Sequence, residues 1–136
     1  VIIENQGLER FSQLLQIASK QAKMAEIAIE KAAKSPFCAL LIIAVIAHCT
    51  KETKVPRCEQ VVSAGCAIQA MQIAALAQGF NGIWRTGVWA EYPLVRDAFG
   101  CREQDMIVGF LYLGTRELKA SNKVITRDST PFVSHF

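Results

Sequence analysis

The chain has 136 residues, 51% of them hydrophobic and 20% charged, with a formal net charge of +3. That length suits one domain with a core of its own, and the apolar fraction excludes intrinsic disorder. The charge is too small and too evenly spread for a nucleic-acid binder, and Lys and Arg never occur consecutively.

The first residues, Val1-Ile2-Ile3, read as the end of a strand that stops at the turn cluster Glu4-Asn5-Gln6-Gly7. No basic and apolar leader precedes them, so the chain is expected either to be exported without a recognisable signal or to begin inside a longer protein. Leu8, Phe11, Leu14 and Leu15 then share one helical face opposite Glu9, Arg10 and Gln13. A second, Ala-rich helix is expected from Ala22 to Lys34, with Glu30 and Lys34 as a favourable pair one turn apart. Pro36 should end it by disfavouring helical geometry at Ser35. The run Phe37 to His48 (FCALLIIAVIAH) is apolar without alternation, as in a strand covered on both faces.

A long helix is expected from Arg57 to Gln78, with Gly79 as its left-handed cap. Residues from Val61 to Trp84 carry no charge, a membrane-span length. Gln69, Gln72, Gln78, Ser63 and Asn81 within it, and Ala in place of Leu or Ile, favour a buried helix instead. A helix apolar nearly all round needs cover on nearly all sides, which a second copy of so small a domain would supply. A short strand from Phe80 to Trp84 follows, then a turn at Thr86-Gly87-Val88. A helix is expected from Glu91 to Phe99 with Pro93 in its first turn and Gly100 closing it, then a buried strand from Met106 to Leu113. Beyond residue 115 the chain reads as polar and extended. Phe132 and Phe136 fall on one side of it, as in an edge strand docked on a partner.

Cys38, Cys49, Cys58, Cys66 and Cys101 are odd in number and contain no C-x-x-C pair, so they read as scattered buried thiols of a cytoplasmic protein. His48-Cys49 matches no metal-ligand spacing, and no nucleophilic triad is present; Glu59 and Glu91 read as helix-start residues. No catalytic residue is assigned. The candidate site is Gly79-Phe80-Asn81-Gly82-Ile83-Trp84-Arg85-Thr86-Gly87, where glycines bracket an aromatic, a guanidinium and a hydroxyl. A planar anionic cofactor needs those parts, and a plain helix cap, turn and strand end would show them too. It is neither a P-loop nor a dinucleotide fingerprint.

The blocks VPRCEQVVSAGCAIQAMQIAALAQGFNGIWRTG and FGCREQDMIVGFLYLGT, with the ending TPFVSHF, closely resemble the FMN-dependent nitroreductase family across Val1 to Phe136. The resemblance implies a single α+β domain over residues 1–136, with a central mixed β-sheet flanked by helices. It implies a homodimer holding the flavin at its interface, and an NAD(P)H nitroreductase activity. Hydride would pass from NADH or NADPH through flavin N5 to a nitroaromatic, a quinone or a similar small acceptor. Relatives carry further residues upstream, two helices with an Arg-Arg-Ser motif, so the chain is expected to be N-terminally truncated. Trp84, Arg85 and Thr86 match the family's FMN-contact segment. Ala74, Ala75, Leu76, Ala77, Gln78 and Gly79 match a stretch assigned to NAD(P)H. Neither nucleic acid nor membrane is implied as a partner. The alternative is a non-catalytic, dimeric remnant of the fold.

Overall fold

A computed structural model describes residues 1–51, 54–115 and 126–134. Four strands form one antiparallel sheet: β1 (Ile2–Glu4), β2 (Leu41–Ala47), β3 (Phe80–Arg85) and β4 (Met106–Thr115), in the order β1-β2-β4-β3. All described pairings are antiparallel, so the expectation of a mixed sheet is corrected: β2 and β4 run side by side as the central pair. Parallel neighbours would need a crossover between them.

Helices cover both faces. On one face α1 (Gln6–Gln21) packs on α2 (Glu26–Lys34), and Phe11 and Leu15 meet Ile42, Ala44, Phe110 and Tyr112 of the sheet. Short α4 (Val88–Glu91) and α5 (Pro93–Ala98) complete this layer. On the other face lies α3 (Arg57–Ala77), whose Ile68 joins Ala47, Val108 and Leu111. Strand alternation explains the division, since successive side chains point to opposite faces. Opposite the junction of Val45 and Ile46, whose partners are Gly109 and Ile107, Val108 is an extra residue in β4. This bulge keeps Ile107 and Phe110 on one face although they are three apart.

Several boundaries depart from expectation. The first helix runs on to Gln21, and Lys23 adopts a positive φ of 53°, so α2 starts at Glu26 rather than Ala22. Ser35 keeps helical geometry despite the proline after it. The chain tightens there into a 3-10 turn, Ser35–Cys38, and β2 therefore begins at Leu41, not Phe37. The expected helix from Glu91 is two pieces, because Tyr92, just before Pro93, is extended. Gly79 and Gly100 have positive φ as their capping roles require. In the tail, Thr130–Phe132 is a 3-10 turn rather than extended chain, with Phe132 86% exposed; Phe136 lies outside the described residues.

The long helix α3 is where burial departs most from expectation. Its sheet-facing stripe is Val61, Ala64, Gly65, Ile68, Met71, Gln72 and Ala75, spaced by three and four as a helix demands. A second stripe, Val62, Cys66, Gln69, Ile73 and Leu76, is exposed, with Val62 and Leu76 each at 63%. By length and composition α3 is also apolar enough to cross a membrane. Only Ile68 and Ala75 are fully buried, so within one subunit the helix is not the enclosed rod expected. The thiols are corrected likewise: Cys38, Cys58 and Cys66 are exposed, Cys101 is half-buried and only Cys49 is enclosed.

Candidate functional site

The end of β3 sends consecutive side chains to opposite sides of the sheet. Trp84 turns toward α3: its Nε1 donates to the Val108 carbonyl at 3.3 Å, and its ring lies on glycines of both neighbours. A Cβ on Gly109 would stand 2.1 Å from Trp84 Nε1, and one on Gly65 would stand 3.3 Å from the far ring edge. Any larger residue at 109 would displace the indole, so Trp84 and Gly109 interlock.

Arg85 turns the other way. Its guanidinium carbon sits 5.5 Å from the centre of the Tyr112 ring, the diagonal neighbour across the strand pair. Among the described residues it has no carboxylate partner. Burial lifts the Tyr112 phenol above its ordinary value, against the opposing effects of a Ser35 hydrogen bond and the Arg85 charge. Thr86 follows with its side chain beside the same space. Gly87, at φ 102°, then turns the chain into α4, its carbonyl accepting from the Ala90 N–H at 3.1 Å.

Arg85 and Thr86 line a crevice of about 520 Å³ between α1, α2 and the β3–β4 end of the sheet. Phe11, Leu15, Met24, Trp89, Phe110 and Tyr112 make its walls, and Lys31 and Lys34 of α2 stand at it too. Its volume lies within the range of small-molecule and cofactor sites. No Asp, Glu or His is among the described residues that line it. Lys31 and Lys34 gave no signal in the sequence beyond ordinary helix-end cations; their place at the crevice follows from how α2 packs on α1.

Ala74, Ala75, Leu76, Ala77, Gln78 and Gly79 form the other end of the same connection. Ala75 is buried and the other five are exposed. Gln78 Nε2 turns back to the Ala74 carbonyl at 3.3 Å, and Gln72 Nε2 ties α3 to β3 through the Gly82 carbonyl at 2.9 Å. None of the six lines the crevice, since the strand β3 separates Gly79 from Arg85 by roughly 20 Å at ~3.3 Å per residue. A single subunit therefore does not bring the two matched segments together.

A second polar cluster, not foreseen in the sequence, secures the start of β4. The carboxylate of Asp105 is fully buried and accepts from Arg102 Nε at 3.0 Å, Arg102 Nη2 at 2.9 Å and the Arg102 and Cys49 N–H groups. His48 Nδ1 lies 3.0 Å from its Oδ2. The Arg102 side-chain bonds hold this carboxyl well below the usual range against the contrary pull of burial, and the Arg102 N–H and His48 add to the effect. Arg96 binds the carbonyls of Arg102, Glu103 and Asp105 from the other side. His48 is thus a strand-end residue in an ion-pair network, and no group of His, Cys, Asp and Glu among the described residues is arranged to hold a metal.

An antiparallel sheet clad by a helical pair on one face and one long apolar helix on the other makes the chain an α+β protein, with a cationic crevice between the helical pair and the sheet. The Nitroreductase family profile matches residues 4–115, and the chain belongs to that family, whose members are oxidoreductases. It is 58% identical to the "Putative NAD(P)H nitroreductase YdjA" of Escherichia coli K12 over 135 residues, covering 99% of this chain and 74% of the relative. A "Putative NAD(P)H nitroreductase" of Haemophilus influenzae is 36% identical over 136 residues, with the same coverage. Among solved structures, a nitroreductase-like family protein from Bacillus cereus superposes with a TM-score of 0.77 over 100% of this chain and 71% of its own, at 18% identity. A variant of the FMN and NADPH-dependent nitroreductase NfnB from Sphigopyxis sp. strain HMH gives 0.54 over 93% of this chain and 55% of its own, at 17% identity.

Proposed function

We propose that the chain is the flavin-binding core of an FMN-dependent NAD(P)H oxidoreductase, with the crevice at Arg85 and Thr86 as its cofactor site. The observation that carries this reading is Arg85 itself. A guanidinium with no carboxylate partner among the described residues, at an apolar crevice, is a ready site for negative charge on a planar ligand. The residues fit such a group: Arg85 and Thr86 offer donors, and Phe110 and Tyr112 offer flat apolar surface. The chemistry a bound flavin supplies there is acceptance of hydride from NADH or NADPH and its delivery to a nitroaromatic, a quinone or a similar acceptor.

The protein's share is to hold and orient. Arg85, resting 5.5 Å over the Tyr112 ring, would offer its fork of donors to negative charge on a bound ring system. The aromatic walls would shield the face of a ring bound there from water. The crevice presents no carboxylate or imidazole among its described lining residues, and Arg85 and its aromatic walls would act there through charge and shape.

A homodimer completes the reading. The exposed stripe Val62, Cys66, Gln69, Ile73 and Leu76 is matched in type by Phe80 and Trp84, large exposed side chains on the α3 side of the β3 edge. Burying it against a second α3 removes the apolar surface that one subunit leaves uncovered. A cytoplasmic location suits the unpaired thiols Cys38 and Cys58, exposed outside that seam.

The test is titration of the purified chain with FMN, followed by oxidation of NADH or NADPH in the presence of a nitroaromatic. A yellow complex that consumes reductant supports the reading; a chain that neither binds flavin nor oxidises either nucleotide overturns it. For the dimer, sedimentation should return two copies, and Ile73→Glu should shift the population to monomer without lowering helix content. A wild-type monomer at micromolar concentration would contradict this part.

A further inference from the structure

Three cations stand at the crevice, and they are not equivalent. Lys34 is taken by Glu30, one turn back on α2, at 2.5 Å. Its ammonium accordingly holds the Glu30 carboxyl below the ordinary range. Arg85 rests on Tyr112 and, on the reading above, serves the flavin. Lys31 is left without an ion-pair partner among the described residues, and it faces the same space as Phe11, Met24, Ala28 and Trp89. The C-terminal turn of a helix explains why lysines are tolerated there, through the helix dipole. It does not explain apolar walls beside them or a lining that holds only positive charge.

We infer that Lys31 makes this crevice selective for electron acceptors that are aromatic anions, such as a nitroarene or quinone carrying a carboxylate or sulfonate. The inference rests on the flavin reading and deepens it. Apolar side chains take the ring, and Lys31 takes the anionic group at the solvent-facing rim, where an exposed ammonium steers charge without a large desolvation cost. A neutral acceptor of the same shape gains the first contribution and loses the second. The flavin phosphate is a second source of the same anionic chemistry, and the experiment separates the two.

The experiment is calorimetric titration of the full chain, with FMN present in excess, by 4-nitrobenzoate and by its neutral isostere 4-nitrobenzamide. The anion should bind roughly threefold to fivefold tighter, the scale of an exposed ion pair, and the preference should shrink as salt rises. Lys31→Gln should abolish the preference while leaving 4-nitrobenzamide binding unchanged, and Lys31→Arg should retain it. Equal affinities for the two probes, or binding of neither, overturn the inference. So does a Lys31→Gln variant that loses affinity for FMN but not for riboflavin, since Lys31 would then serve the cofactor phosphate. Selective binding of the anion by a chain that takes up no flavin would instead defeat the cofactor reading and leave the anion site standing.

Discussion

Asp105→Ala is expected to lower the unfolding free energy by about 3 kcal/mol, read as a fall in the urea midpoint at unchanged slope. The carboxylate is enclosed, and its loss leaves the buried Cys49 N–H and the Arg102 N–H without their acceptor. Arg102 is half exposed and can turn to water, which limits the loss to the lower end of the range for broken buried pairs. Asp105→Asn keeps one acceptor oxygen and should cost about half as much. The pH dependence has a definite sign. A carboxyl whose folded-state pKa is depressed contributes stability above the unfolded value of about 3.9, and that contribution fades as pH falls below it toward the folded value. Wild-type stability should therefore drop more steeply than that of Asp105→Asn below about pH 4, and the two curves should run parallel at neutral pH. Parallel curves throughout would mean that the carboxylate carries no net charge-linked stability.

Arg85→Ala is expected to weaken FMN binding about tenfold to a hundredfold, the range of one charge-assisted hydrogen bond made or lost. Folding should hardly notice. The side chain is exposed, and what it gives the fold is one cation–π contact on Tyr112, worth about 0.5–1 kcal/mol at such a site. Unchanged unfolding with lost flavin affinity separates a binding role from a structural one. Arg85→Lys keeps the charge but not the planar fork, so it should fall between the two. A variant that binds FMN as wild type does would remove Arg85 from the site.

The fold was legible where the chain repeats a pattern over many residues. The β-branched run of β2, the small-residue periodicity of α3 and the glycine caps at Gly79 and Gly100 each declare their local structure. What failed were junctions decided by tertiary packing. Ser35 stays helical before Pro36 because a 3-10 turn absorbs the restriction, and α1 outruns its apolar pattern to reach Gln21. The candidate site was half legible. Trp84, Arg85 and Thr86 stand out together in the sequence, but strand alternation sends Trp84 to α3 and leaves Arg85 and Thr86 at the crevice. Lys31 and Asp105 were invisible beforehand, since a helix-end lysine and a loop aspartate acquire meaning only from neighbours distant in sequence.

Hydrogen exchange of the chain with and without saturating FMN tests the central claim most directly. Slowed exchange should concentrate at the end of β3 and the start of α4, with lesser protection in α2 near Lys31 and in β4 at Phe110 to Tyr112. Protection elsewhere, with Arg85 to Trp89 exchanging as in the free chain, would contradict a flavin held at this crevice.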